Sequence, residues 1–104
     1  MDKKKELQKV VGLIRADIRV EDNNPSTTYP KAMMTSQQMG HNTATVNCGG
    51  AYGGGGQYTR KKALRVLRDE RFIKYLDAFK AKAEVEQIFE GGNTGFQVRI
   101  RYAE

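Results

Sequence analysis

At 104 residues the chain is sized for one domain, and a second core has no room. It is 38% hydrophobic with no Trp, and no apolar run approaches the roughly 20 residues of a membrane span, which excludes an integral membrane protein with helical spans. A net charge of +6 favours acidic partners: nucleic acid, a nucleotide, or an acidic protein face.

Leu7, Val10, Val11, Ile14 and Ile18 recur at helical spacing, and Lys3, Lys4, Lys9 and Arg15 stay off that stripe. The pattern predicts a helix over 2–18, capped by Asp2 and running into an extended stretch through Arg19 and Val20. Gly12 weakens that helix by up to about 1 kcal/mol relative to Ala. The alternation in Ile18-Arg19-Val20 makes a strand over 10–20 the rival. The opening MDKKKELQKVV is charged and lacks an apolar stretch, so no signal peptide is expected and the expected location is cytoplasmic.

Asp22-Asn23-Asn24-Pro25 breaks the helix, and an irregular polar loop is expected at about 21–42. Within it a short helical turn is expected around Lys31–Met34, and Met33, Met34 and Met39 offer adaptable apolar contact. Thr43-Ala44-Thr45-Val46-Asn47-Cys48 alternates and is rich in β-branched residues, which predicts a short strand.

Six of the eleven glycines then fall between Gly49 and Gly56, so a Gly-rich loop is expected at 49–57. Backbone without Cβ approaches a ligand closely, and the helix start that follows presents unpaired N–H groups to anions. Strand, glycine loop and basic helix is the order of phosphate-binding loops. Neither the Walker spacing nor the dinucleotide fingerprint is present, and a flexible linker is the plain alternative. Thr59 is the expected N-cap of the next helix, with Ala63, Leu64, Val66 and Leu67 as its apolar arc. Lys61, Arg65 and Arg68 are expected on the opposite face with Lys62 beside them. Cations in a first turn oppose the helix dipole at about 0.3–1 kcal/mol each, and a docked anion would reverse that sign.

Phe72 would break this pattern unless the helix ends at Asp69, which can cap a second helix from about Glu70 to Ala81. Phe72, Tyr75, Leu76 and Phe79 form its stripe. Ala83–Glu90 and Gly95–Tyr102 predict a C-terminal hairpin around a Gly92-Asn93 turn. That register opposes Phe89 to Phe96, Gln87 to Val98, Val85 to Ile100 and Ala83 to Tyr102. On the other face it pairs Glu86 with Arg99 and Glu84 with Arg101.

The expected fold is α+β: an N-terminal helix and a central helix pair packed on a small antiparallel sheet that ends in the hairpin. A chain this small gains from dimerisation without requiring it. His41 is the sole histidine and Cys48 the sole cysteine, which leaves no disulfide, no metal-ligand cluster and no oriented nucleophile–base pair. No cofactor and no enzymatic activity are expected.

The favoured function is binding of a phosphate-rich partner, nucleic acid ahead of a nucleotide. Gly53, Gly54, Gly55 and Gly56 would approach through backbone, and Arg60, Lys61, Lys62, Arg65 and Arg68 would neutralise phosphates. Tyr52 and Tyr58 would stack on bases. Two rivals use the same residues differently. One is an inhibitor of phage or mobile-element type that docks on an acidic protein such as a nuclease. The other sequesters a small nucleotide.

Overall fold

In the computed structural model, residues 2–22, 31–33, 42–51, 56–90 and 93–103 are described, with backbone alone at 22, 31–33, 49–51, 56–59, 88–90 and 93–94. The first helix, α1, spans Lys3–Asp22. Asp2 Oδ1 accepts from the backbone N–H of Lys4 at 2.9 Å and of Lys5 at 3.4 Å, so the cap stands where the sequence places it. Leu7, Val11, Ile14 and Ile18 are all buried, and Val10 packs partly against them. The rival strand is excluded, since a strand would divide these residues between two faces. The helix continues through Asp22 instead of extending after Ile18. Glu21 in that last turn receives an Arg65 bond of 3.0 Å, which anchors the extra turn.

Four antiparallel strands follow: β1 (Lys31–Met33), β2 (Thr43–Ala51), β3 (Ala81–Glu90) and β4 (Asn93–Tyr102), ordered β1-β2-β4-β3. The helical turn expected at Lys31–Met34 is a strand for Lys31–Met33, because Ala32 pairs with Val46 and completes the backbone bonding of β2. β2 runs past Cys48 through Gly49 and Gly50. Its pairing with β4 passes from Asn47↔Gln97 to Gly50↔Gly95, so β2 takes one extra residue there, a bulge beside Cys48.

Helix α2 covers Gly56–Arg68 and α3 covers Glu70–Ala78. Thr59 lies inside α2, not at its cap, because helical backbone is already established at Gly56. Of the residues expected as a glycine loop, 49–51 belong to β2 and 56–57 to α2, and 52–55 lie outside the described residues. The break at Asp69 is present as expected: its backbone is extended, and its side chain accepts from the N–H of Arg71. α3 ends at Ala78, short of the expected Ala81, since Ala81 already pairs with Tyr102 in the sheet. The chain turns at Lys80, whose φ of 51° is in the left-handed region. Its N–H reaches Asp77 O at 3.3 Å and its carbonyl accepts from Ala103 at 3.1 Å, bonds that offset a strain of about 1–2 kcal/mol.

The hairpin differs from expectation in register. Val85 faces Val98, Ala83 faces Ile100 and Ala81 faces Tyr102, a slip of two residues from the pairing read off the sequence. Glu90 pairs with Asn93, so the connection comprises 91–92, not Gly92-Asn93. A slip of two keeps every side chain on its face, and Gly-Gly suits a primed turn as well as Gly-Asn does. The charge pairs survive as diagonals: Arg99 to Glu86 at 3.1 Å and Arg101 to Glu84 at 3.5 Å.

One face of the sheet packs on the helices. Ala44, Val46, Cys48, Val98 and Ile100 are fully buried against Leu7, Ile14, Ala63, Val66 and Phe72. Truncating Phe72 to Ala in such a core costs about 3–5 kcal/mol. The opposite face carries Thr43, Thr45 and Asn47 of β2 beside Arg101, Arg99 and Gln97 of β4. The architecture is therefore a two-layer α+β domain, with three helices over one side of an antiparallel sheet.

Candidate functional site

The residues singled out in the sequence separate into four groups. Tyr52, Gly53, Gly54 and Gly55 lie outside the described residues, as do His41, Met34 and Met39. Gly56 opens α2, and Tyr58 follows in its first turn. Neither carries a described side chain, so stacking by Tyr52 or Tyr58 remains an expectation from sequence.

Arg60 and Lys61 are exposed, and neither forms an ion pair with a described residue. Arg68 is exposed as well. Its Nε donates to the carbonyl of Leu64, one turn back, at 3.3 Å, which holds the stem along the helix. Lys61 and Arg68 are seven positions apart, two turns or about 10 Å of helix axis.

Lys62 departs from expectation. It is 5% exposed, inside the domain and not beside Lys61 on the outer face. Ala63 and Val66 are fully buried, whereas Leu64 and Leu67 are half-buried, so the inward arc of α2 is turned toward Lys62. Lys62 is near enough to Cys48 for its charge to act on the thiol. Burial pushes the Cys48 thiol up to about 12, and Lys62 partly opposes that shift. Cys48 Sγ donates to Val46 O at 3.7 Å, so the group is a buried thiol and not a nucleophile in waiting.

Arg65 also departs from expectation: carboxylates occupy it. It reaches Asp69 Oδ2 at 2.9 Å and Glu21 Oε1 at 3.0 Å. Asp69, 8% exposed, is the centre of this cluster. It accepts from Arg71 through the backbone N–H at 2.9 Å, Nε at 3.0 Å and Nη2 at 2.8 Å. Arg71 Nη2 continues to Asp17 at 2.6 Å. Hydrogen bonds from Arg71, and behind them from Arg65, hold the Asp69 carboxyl well below the usual range against the opposing effect of burial. Bonds to Glu21 and Asp69 raise the Arg65 pKa, and bonds to Asp69 and Asp17 raise that of Arg71. The cluster ties the last turns of α1 to the α2–α3 junction. No signal within either segment joins Asp17 or Glu21 to residues 65–71, since the link depends on how α1 lies against α3.

Among the described residues no group of three or more His, Cys, Asp and Glu is arranged to hold a metal ion. No helix among them is long and apolar enough to cross a membrane. Comparison with family models, curated proteins and solved structures finds no match to the chain. Of the five candidate cations, Arg60, Lys61 and Arg68 are exposed and make no ion pair with a described residue.

Proposed function

We propose that the chain is a small non-enzymatic binding domain for a phosphate-rich partner, nucleic acid in the first place, with Arg60, Lys61 and Arg68 as its phosphate contacts. One observation carries this reading. α2 holds no acidic residue from Gly56 to Arg68, and it displays exposed cations that no described carboxylate neutralises. Arg65, Arg71 and Arg99 are instead held by carboxylates at 3.1 Å or less. Paired arginines serve the fold, and exposed cations along a helix free of acidic residues suit phosphate.

The experiment is a salt titration of binding to duplex and single-stranded DNA and to RNA. Replacing Arg60, Lys61 and Arg68 together by Ala should weaken binding similarly across unrelated sequences. It should also flatten the slope of log affinity against log salt by about 2 to 3, at roughly 0.9 per duplex contact or 0.7 per single-strand contact. Wild-type protein with no salt-dependent binding would exclude nucleic acid as the partner. An unchanged slope in the triple variant would place the contact surface elsewhere.

A further inference from the structure

We propose that the free edge of β3 is a self-association surface, on which a second copy of this chain pairs antiparallel about a two-fold axis at Ala83. β3 is the outer strand of the sheet, ten residues long, and among the described residues it pairs with β4 alone. A strand of that length presents a row of backbone donors and acceptors for another strand. Its outward face reads Lys82, Glu84, Glu86, and its helix-facing side reads Ala81, Ala83, Val85.

Antiparallel pairing about a two-fold axis sets residues of one face opposite each other, so each register is centred on one residue. A centre at Lys82, Glu84 or Glu86 sets a charged residue against its own copy. A centre at Ala81 opposes Lys80 to Lys82, one at Val85 opposes Glu84 to Glu86, and one at Gln87 opposes Glu84 to Glu90. A centre at Ala83 opposes Lys82 to Glu84 twice, sets Ala83 against Ala83, and sets Ala81 against Val85. Of the seven centres from Ala81 to Gln87, this one alone brings no like charges together.

Both charges are available for that pairing. Lys82 is exposed and makes no ion pair with a described residue. The Glu84 contact to Arg101 is long, at 3.5 Å, with both side chains more than half exposed. On the helix side, Ala81, Ala83 and Val85 are half-buried and join a rim with Leu67, Leu76 and Phe79 that a second copy would cover further. Pairing there would make one continuous eight-stranded sheet from two four-stranded ones.

The test is sedimentation equilibrium of the full chain across a concentration series, with Lys82→Glu, Glu84→Lys and the double exchange. Wild type should dimerise. Either single reversal should weaken the dimer by about tenfold or more, because it turns two attractive oppositions repulsive. The double exchange should restore most of the loss. Lys82→Glu is the safer single variant, since it removes the like-charge opposition of Lys82 to Arg101 within the monomer. A wild type that stays monomeric overturns the proposal. So does a dimer indifferent to Lys82→Glu in protein whose circular dichroism matches wild type, or a double exchange that restores nothing.

Discussion

The hydroxyls of Tyr75 and Tyr102 lie 2.6 Å apart, joining the middle of α3 to the last residue of β4. Tyr75 also reaches the carbonyl of Lys3 at 2.8 Å. A carbonyl only accepts, so Tyr75 spends its one proton there, and Tyr102 donates to Tyr75. Two buried rings therefore connect the start of α1, the core of α3 and the end of the chain, with Lys3 Nζ 4.5 Å from the centre of the Tyr102 ring.

That donor order predicts unequal costs. Tyr102→Phe removes a donor but leaves Tyr75 bonded to Lys3. Tyr75→Phe removes the acceptor of a buried hydroxyl and the donor to a carbonyl at once. Urea unfolding should show Tyr75→Phe costing about 1–3 kcal/mol and Tyr102→Phe about half of that. Equal costs, or the reverse order, would show that Tyr75 donates to Tyr102 instead.

Asp69 combines a helix cap with a buried charge, and two substitutions separate these roles. Asn caps as well as Asp, so Asp69→Asn removes the charge and keeps the cap, whereas Asp69→Ala removes both. The alanine variant should lose about 2–4 kcal/mol and the asparagine variant less. The folded pKa of Asp69 lies below its unfolded value. Its contribution is therefore complete above an unfolded pKa of about 4 and is lost as pH falls below that toward the folded value. Wild type and Asp69→Asn should converge in stability through that acid range. A gap that stays constant down to pH 2 would show that the charge adds nothing.

Cys48 should behave as a buried thiol. Iodoacetamide at pH 8 should leave the folded protein unmodified and label the chain in denaturant. Burial raises its pKa from 9.0 to about 12, so its contribution is complete below pH 9 and declines as pH rises from there to about 12. Cys48→Ala should cost about 1 kcal/mol at neutral pH, and the advantage of wild type should shrink above pH 9. Nucleic-acid binding should be unchanged. Rapid labelling of the native protein would show that the thiol is accessible.

Elements with one dominant period were legible in the sequence. The stripe from Leu7 to Ile18, the break at Asp69 and the two C-terminal strands all follow from spacing and cap chemistry, and these set the α+β class. The hairpin register was not legible, because a slip of two preserves both faces and moves the ion pairs only from opposed to diagonal. Which cations of α2 are exposed was hidden for a related reason. A helical period places Lys62 and Arg65, three positions apart, as neighbours on the surface of α2, and does not show that the domain covers Lys62 or that Glu21 and Asp69 meet Arg65. The packing of α2 on β2 and β4 and the acid Glu21 of α1 decide that, and both are remote in sequence. Lys31–Met33 is too short to carry a period of its own, and its strand exists through pairing with β2.

The division of α2 into structural and available cations gives the last prediction. Arg65 holds Asp69 and Glu21, while Arg60, Lys61 and Arg68 hold no described carboxylate. Arg65→Ala should therefore cost stability, about 1–2 kcal/mol, with Arg71 still bonded to Asp69 and limiting the loss. Its salt slope for nucleic-acid binding should match wild type, since it removes no free phosphate contact. The triple variant at 60, 61 and 68 should do the opposite, keeping or gaining stability because Ala is the better helix former at exposed positions. Thermal melts and salt titrations of both proteins, taken together, check the division. If Arg65→Ala flattens the slope by a full contact while leaving the melt unchanged, then Arg65 leaves its carboxylates to meet phosphate. The boundary between fold and site would then have to be redrawn at that residue.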